Sequence, residues 1–397
     1  MRIIIAPDKF KGSLSAPDVA AHLEIGLRSV LCGLEVERIP VADGGEGTLD
    51  AAVGSGYTRK TVTATGPTGR PLAADFAVRG TEAVIEMATA SGLAVLPGGR
   101  ADALGATSRG TGELIRAALD AGCTDIVLGV GGSACTDGGA GLLAGLGARM
   151  LDGVGRELPG GGGALARIET VDFARLDPRL TTARFILASD VDNPLLGPNG
   201  AAEIFGPQKG ASPDDVRALE HGLECFFRIL ANELGSAAVE AENAAGAGAA
   251  GGVGYAALAV LNALRRPGID VVLGFTALED RIRGADLVIT GEGSLDEQSL
   301  GGKTPMGVAR AAARAGVPVI AVCGRTTLDP GSLLHAGFAR TYTLTQLEPD
   351  ISSCMADAGN LLVQLGAKMG TELDECALPH SMTRYGNHQP SQGAAHA

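Results

Sequence analysis

Tryptophan is absent from this 397-residue chain, and aromatic residues make up only 3% of it. Its cores must therefore be built from alanine, valine, leucine and isoleucine, with backbones drawn close together rather than spaced by rings. The seven cysteines include no CxxC pair and have no histidine cluster beside them. That argues against a zinc site or a disulfide framework and fits reduced thiols in cytoplasm. No apolar run approaches membrane-span length, and Met1–Pro7 breaks too early for a signal peptide, so a cytoplasmic protein without membrane partners is expected. Positive charge is also scarce. A net charge of −13 argues against nucleic acid and anionic membranes, and an anionic substrate would need local basic residues against that field. No catalytic histidine and no nucleophile elbow are evident. A Walker A loop is missing too: counting back from Gly302-Lys303-Thr304, the first required glycine is Glu297.

What the chain does have is length, apolar mass and glycine. It is too long for one ordinary core, which predicts two domains, and 45% apolar residues suffice to bury them. The 60 glycines concentrate in loops that follow apolar runs. The stretch Asp286–Met306 is the centre of this pattern. Leu287-Val288-Ile289 predicts a buried strand that breaks at Gly291 and Gly293; the loop carries Glu292, Asp296, Glu297, Gln298 and Lys303; Pro305 opens a helix continuing from Val308 to Ala315. In open α/β sheets, ligands bind outside the carboxyl ends of such strands.

The same unit recurs. Ile3–Ala6 predicts a strand ending at Pro7-Asp8, then a loop with Lys9, Lys11, Gly12 and Ser13, then a helix capped by Ser15. Backbone N–H groups and lysine charge on such a loop suit an anion. Val36–Val41 predicts a second strand, followed by Asp43-Gly44-Gly45-Glu46-Gly47 and another helix; capping explains one acid but not three glycines. From Tyr57 the pattern changes to short antiparallel strands, Thr61–Thr65, Ala74–Val78 and Ala83–Met87, which suggests an inserted domain. There Thr111–Leu119 reads as helix, and Asp125–Gly129 and Phe185–Ala188 read as strands. Gly129, Gly131 and Ala134 match GxGxxA, with Asp152 near the spacing of a ribose-binding acid. Asp137 stands where a pyrophosphate would sit, so a nicotinamide dinucleotide site is the minority expectation.

Asp190 and Asp192 alternate before Asn193-Pro194 and would share a face if extended, which suits a Mg²⁺ site or a general base. Gln208 and Lys209 lie on a glycine-bounded loop, and Gly160–Gly163 reads as plain loop. Gly246–Gly251 matches GxGxxG but follows helical sequence, so it fails as a cofactor fingerprint. Tyr255–Leu264 reads as helix, Val317–Val322 and Thr341–Thr345 as strands, and Ile351–Lys368 as a last helix before a loose polar tail.

Together these predict an α/β protein: a flavodoxin-like, doubly wound (Rossmann-like) parallel sheet domain interrupted by an inserted second α/β domain with a mixed sheet. The expected division is 1–56 plus 270–378, then 57–269, with 379–397 as tail. Asp8, Asp43, Glu292 and Arg325 would emerge at one sheet edge, and Asp137 and Asp190 at strand ends of the insertion, facing a shared cleft. Carboxylates, lysines and glycine N–H groups without a nucleophile suit phosphoryl transfer.

These residues resemble the bacterial type-1 glycerate kinases from about Met1 to Leu378. The matching blocks are Ala6–Ser15, Ala42–Thr48, Gly131–Gly141, Ser189–Gly197, Gly206–Ala211, Gly246–Gly252 and Ile289–Gly293 through Lys303. Lys9 stands where the family has Ser, and Cys135-Thr136 where it has Thr-Asn. The resemblance implies ATP- and Mg²⁺-dependent phosphorylation of D-glycerate at its 2-hydroxyl, the alternative being the 3-phosphoglycerate product. Within that frame Asp190, then Asp43, is expected to take the hydroxyl proton, with Lys11 beside them. Asp8, Lys9, Gly12, Ser13, Gly44, Gly45, Asp137, Asn193, Gln208 and Lys209 are expected around substrate and phosphate. Gly291, Gly293, Gln298 and Lys303 are expected around ATP, and Glu292 and Asp296 around the metal. A homodimer is carried as an open expectation. The rivals from other classes are a NAD-dependent hydroxy-acid dehydrogenase and a non-catalytic small-anion-binding protein.

Overall fold

The structure, a computed structural model, describes residues 1–375; the expected tail and residues 376–378 lie outside the described residues. The chain begins with β1, Arg2–Pro7, where Ile3, Ile4 and Ile5 are fully buried. Both faces of this strand are covered, which is why it reads as a continuous apolar run rather than an alternating one. Ile3 and Ile5 pack with α1 (Ala16–Arg28) and the last helix, Ala358–Glu375. Ile4 and Ala6 point the other way, toward the helices Gly268–Phe275 and Thr304–Ala315. As expected, Ser15 caps α1, and Pro305 stands in the first turn of the helix it opens.

β2 is Glu35–Arg38 and is followed by α2, Thr48–Gly54. The second sheet begins with β3 (Thr58–Thr65), β4 (Pro71–Arg79) and β5 (Glu82–Glu86). It continues with β6 (Asp125–Gly129), then, after a side hairpin of β7 (Arg149–Leu151) and β8 (Thr170–Asp172), with β9 (Arg184–Ala188) and β10 (Leu264–Arg266). The chain then returns to the first sheet with β11 (Leu287–Leu295), β12 (Val319–Thr326) and β13 (Arg340–Thr343).

The first sheet is parallel throughout, in the order β2-β1-β11-β12-β13, which is the flavodoxin-type order. The second sheet is mixed, in the order β10-β9-β6-β5-β4-β3: β3, β4 and β5 are antiparallel, and β5, β6, β9 and β10 are parallel.

Several local expectations are corrected. β11 does not break at Gly291 and Gly293 but runs through both, because β12 pairs with it as far as Leu295. Gly291 sits inside the sheet, where a Cβ would lie 1.7 Å from the Val322 carbonyl oxygen; the glycine serves strand packing, not a loop. Tyr255–Leu264 is not one helix: the helix is Ala249–Ala259, and β10 follows. Gly160–Gly163 enters a 3₁₀ turn, Gly162–Arg167, packed under the helix Pro213–Leu234. The last helical segment divides at Asp357 into Ile351–Ala356 and Ala358–Glu375.

The sheets meet through the loop between β2 and α2. The Gly131 N–H donates to the Gly44 carbonyl at 3.3 Å. A Cβ at Gly131 would lie 2.4 Å from the Gly45 Cα, and one at Gly268 would lie 1.9 Å from the Asp43 carbonyl oxygen. Backbone touches backbone here, so only glycine fits. Gly268→Ala is expected to cost about 1–3 kcal/mol in urea unfolding. Gly274→Ala, in the same helix with open space around it, is expected to be neutral or to gain up to about 1 kcal/mol.

Candidate active site

Two cavities open along this junction. One, of about 560 Å³, lies over the carboxyl ends of β1, β11 and β12 and is lined by Asp8, Lys9, Phe10, Lys11, Ser13, Glu292, Gly293, Ser294, Asp296, Lys303 and Arg325. Its outer wall is apolar, with Leu344, Ile351, Cys354 and Met355. The other, of about 570 Å³, lies over the ends of β6 and β9 and includes Ser189, Asp190, Val191, Phe205, Gln208, Ala249 and Ala250. Lys11, Asp43, Gly45, Glu46, Gly131 and Gly132 line both. They are thus two lobes of one cleft, with Lys11 and Asp43 at the waist.

The loop after β1 holds its shape locally. Phe10 N donates to the Leu14 carbonyl and Ser13 N to the Phe10 carbonyl, and Gly12 takes the left-handed φ of 76° that this turn requires. Ser13 Oγ donates to the Met355 carbonyl at 2.7 Å, which ties the turn to the apolar wall. Lys9 Nζ is spent on the Glu46 carbonyl at 2.7 Å. Lys11 is exposed and its ammonium has no hydrogen-bond or ion-pair partner among the described residues. A cation without a partner, at the waist of a cleft lined by both acids and bases, is available to a ligand anion.

Asp8 is buried, accepting from Thr304 Oγ1 at 2.7 Å and from its neighbour's amide, Lys9 N, at 2.6 Å. Loss of hydration pushes its carboxyl up to about 6, against the pull of Lys9 and with the charge of Asp43 adding to the rise. Glu292 is pushed up to about 7, first by burial, with Asp8 contributing. Its Oε1 is buried and has no partner. An orphaned carboxylate oxygen beside a second carboxylate of raised pKa is a fitting seat for a cation. Among the described residues no group of three or more His, Cys, Asp or Glu could enclose a metal alone. A divalent cation seated here would need oxygen ligands from a bound molecule as well. Asp296 is already engaged: Oδ1 accepts from Ser299 N at 3.1 Å as the cap of a short helix, and these bonds hold its carboxyl below the usual range. Lys303 also lines this lobe, reaching Gln298 Oε1 at 3.4 Å; Gln298 itself faces solvent outside it.

In the other lobe, Asp190 Oδ1 accepts from Gly268 N at 2.7 Å. The side chain opens to the cleft, yet enough protein surrounds it that desolvation pushes the carboxyl up to about 6, with the charge of Asp43 adding to the rise. Asp192 does not join it. It turns outward to Arg265 at 2.6 Å with its side chain 78% exposed, so the expected pair does not share a face. Asn193 closes a turn through Nδ2 to the Asn199 carbonyl at 2.8 Å and lines neither lobe.

Two other expected ligand residues prove to be internal. Asp137 is 1% exposed and takes N–H and hydroxyl donors from Ser108, Thr107, Gly139 and Gly141. It organises the loop from below rather than meeting substrate. Lys209 borders the second lobe, but its Nζ donates to the Cys135 carbonyl at 2.5 Å, and burial holds its ammonium below the usual lysine range. The dinucleotide expectation also gives way. Gly129 and Gly131 pack against Gly44 and Gly45 where a pyrophosphate would need space, and Asp152 closes a surface turn through Val154 N and Arg156 N. Sequence reasoning missed the wall of Leu344, Ile351, Cys354 and Met355, and also Ala249–Ala250, where Ala250 takes a left-handed φ of 54°. Apolar side chains on distant helices carry no sequence mark of such a role, and only the GxGxxG run flagged the second segment.

Two α/β sheets enclosing a glycine-walled cleft lined by acids and bases define a two-lobed enzyme for a small polar ligand. The chain belongs to the glycerate kinase family, whose sequence model matches residues 3–373. It is 46% identical over 347 residues to "Glycerate kinase" of Bacillus subtilis (strain 168), covering 87% of this chain and 90% of the relative. It is 43% identical over 347 residues to "Glycerate 2-kinase" of Escherichia coli (strain K12), with 87% and 90% coverage. A crystal structure assigned as glycerate kinase 2 from Salmonella typhimurium LT2 superposes with a TM-score of 0.80 at 40% identity, covering 95% of this chain and 99% of that one.

The buried acids make stability pH-dependent. Because the folded-state value of Asp8 lies above its unfolded value, the native state holds the proton more tightly, and stability falls as pH rises from about 4 through about 6. In ligand-free protein, Asp8→Asn is expected to flatten this fall by up to about 3 kcal/mol, since the shift is roughly two pH units at 1.36 kcal/mol each. Urea midpoints at pH 4.5 and 7 measure it; equal slopes in both proteins would contradict it.

Proposed function

We propose that the chain transfers the terminal phosphoryl group of ATP to the 2-hydroxyl of D-glycerate, giving 2-phosphoglycerate. The observation that carries this is the waist: Lys11, unpaired, and Asp43 border both lobes at once. ATP fits the lobe over the first sheet, its base against Leu344, Ile351 and Met355 and its phosphates toward Gly293, Lys303 and Lys11. Glycerate fits the second lobe, beside Asp190 and Gln208. The family of the chain and the names of its relatives support the same substrate pair.

Phosphoryl transfer asks for position and charge compensation more than covalent chemistry. Asp190 is fixed by Gly268 N and is mostly ionised at neutral pH, so it can take the hydroxyl proton, with Asp43 as second candidate. Lys11 holds the transferring phosphate at the waist. Glu292, with Asp8 rather than the capped Asp296, would hold Mg²⁺, which when bound supplies charge neutralisation on the phosphates. The two sheets correspond in this proposal to two domains, 1–56 plus 270–378 and 57–269, in a cytoplasmic protein. The acidic global charge supports a small-molecule partner rather than nucleic acid. Among the described residues, no helix is long and apolar enough to cross a membrane.

A coupled ADP assay is expected to show turnover that needs both D-glycerate and Mg²⁺, with phosphorus coupled to the C2 proton of the product. A phosphorus signal coupled to the C3 protons would move the acceptor to the other hydroxyl. Asp190→Asn keeps an acceptor for Gly268 N and is expected to lower kcat by about 10²–10⁴-fold with little change in urea midpoint. Turnover near wild type would remove Asp190 from the role. Lys11→Ala is expected to lower kcat/KM for both substrates, because the residue borders both lobes.

A further inference from the structure

α2 is a short helix with a cap that cannot serve it. Gly47 stands at the N-cap with φ 97° and has no side chain to accept from the first turn. The missing acceptor comes from the other sheet. Glu86, at the carboxyl end of β5, accepts through Oε2 from Gly47 N at 3.1 Å and from Leu49 N at 3.0 Å. It is 7% exposed, so a carboxyl group has been buried to make these two bonds. Burial pushes it up to about 7, although the two amides pull the other way.

The same few residues are pinned from the opposite side. Lys9, on the loop after β1, donates to the Glu46 carbonyl at 2.7 Å, and Thr48 Oγ1 donates to the Gly45 carbonyl at 2.7 Å. The peptide group joining Glu46 to Gly47 is thus held at its carbonyl by a cation from the first sheet and at its N–H by a carboxyl oxygen from the second. Asp43, Gly45 and Glu46, which this clamp immobilises, line both lobes of the cleft. Glu86 lines neither, so whatever it contributes passes through the loop.

We infer that Glu86 is a positioning residue for the transfer, a cap supplied across the sheet junction that fixes Asp43–Gly47 at the waist of the cleft. The inference rests on the kinase function proposed above. Displacement of a reacting group by about 1 Å can cost on the order of a hundredfold in rate, so a loosened loop should register in kcat.

The test compares Glu86→Ala and Glu86→Gln by steady-state kinetics and by hydrogen exchange over 43–50. Glu86→Ala is expected to lower kcat by about ten- to a hundredfold while the KM for ATP changes by less than about threefold. Its amides at 47 and 49 should exchange faster, while peptides from β1 and β12 match wild type. Glu86→Gln retains an oxygen that can accept both amides, and should restore kcat to within about threefold. Wild-type kcat in Glu86→Ala overturns the inference, as does an equal loss in both variants with unchanged exchange. Should Glu86→Ala not fold, Glu86→Asp, whose reach is one methylene shorter, should show the slower rate, and wild-type kcat there overturns it equally. A wild-type chain that forms no ADP with glycerate overturns the kinase function instead, and the exchange result then stands by itself.

Discussion

The site depends on one close approach: the Asp43–Gly47 loop of the first sheet rests directly on the strand ends of the second. A Cβ at Gly129 would lie 2.6 Å from the Gly44 carbonyl oxygen, and Gly131 and Gly268 press on Gly45 and Asp43 in the same way. Side chains here would hold the sheets apart, and the two lobes would lose their common wall. Glycine costs conformational entropy when ordered, but at these positions it permits backbone contact that no other residue allows.

Electrostatics follow from that geometry. The loops bring Asp8, Asp43, Asp190 and Glu292 from distant parts of the chain into a space where several are partly dehydrated, and three of them rise to about 6 or 7. Like charges held together without solvent disfavour ionisation, and an incoming cation reverses that preference. The basic groups are divided by use. Lys9 and Lys209 are consumed by backbone carbonyls, whereas Lys11 has no partner among the described residues. A count of lysines on glycine-rich loops could not make this division, because the deciding partners, the carbonyls of Glu46 and Cys135, are backbone atoms on other segments.

Much of the fold was legible. The β-branched run at Ile3–Ile5, the apolar run at Leu287–Ile289 and the switch to antiparallel strands after Tyr57 each reflect a local rule, and the structure follows them. Two acids after strands, Asp8 and Asp43, were legible for a related reason: in a parallel sheet the loop after a strand has one place to be. Glu292, expected in a loop, instead lies within β11 opposite Cys323. Gly291 and the helix expected at Tyr255–Leu264 were misjudged where strand pairing overrode local pattern. Asp137 and Asp190 look alike in sequence, each an acid in a polar loop after a strand. Burial separates them, since one is enclosed by five donor groups and the other opens to the cleft.

The sequence by itself determined the run of glycine-rich loops after apolar strands and the set of acids and lysines those loops carry, which follow from neighbours a few residues apart; the flavodoxin-type order expected for the first sheet came from fitting a known topological rule to those strands. Tertiary structure decided which of those residues face a ligand and which face the protein, and it supplied Glu86 and the apolar wall around Met355. Those assignments depend on which backbone amides and carbonyls are left without partners once two sheets have closed on each other, and that is settled only by contacts between segments far apart in the chain.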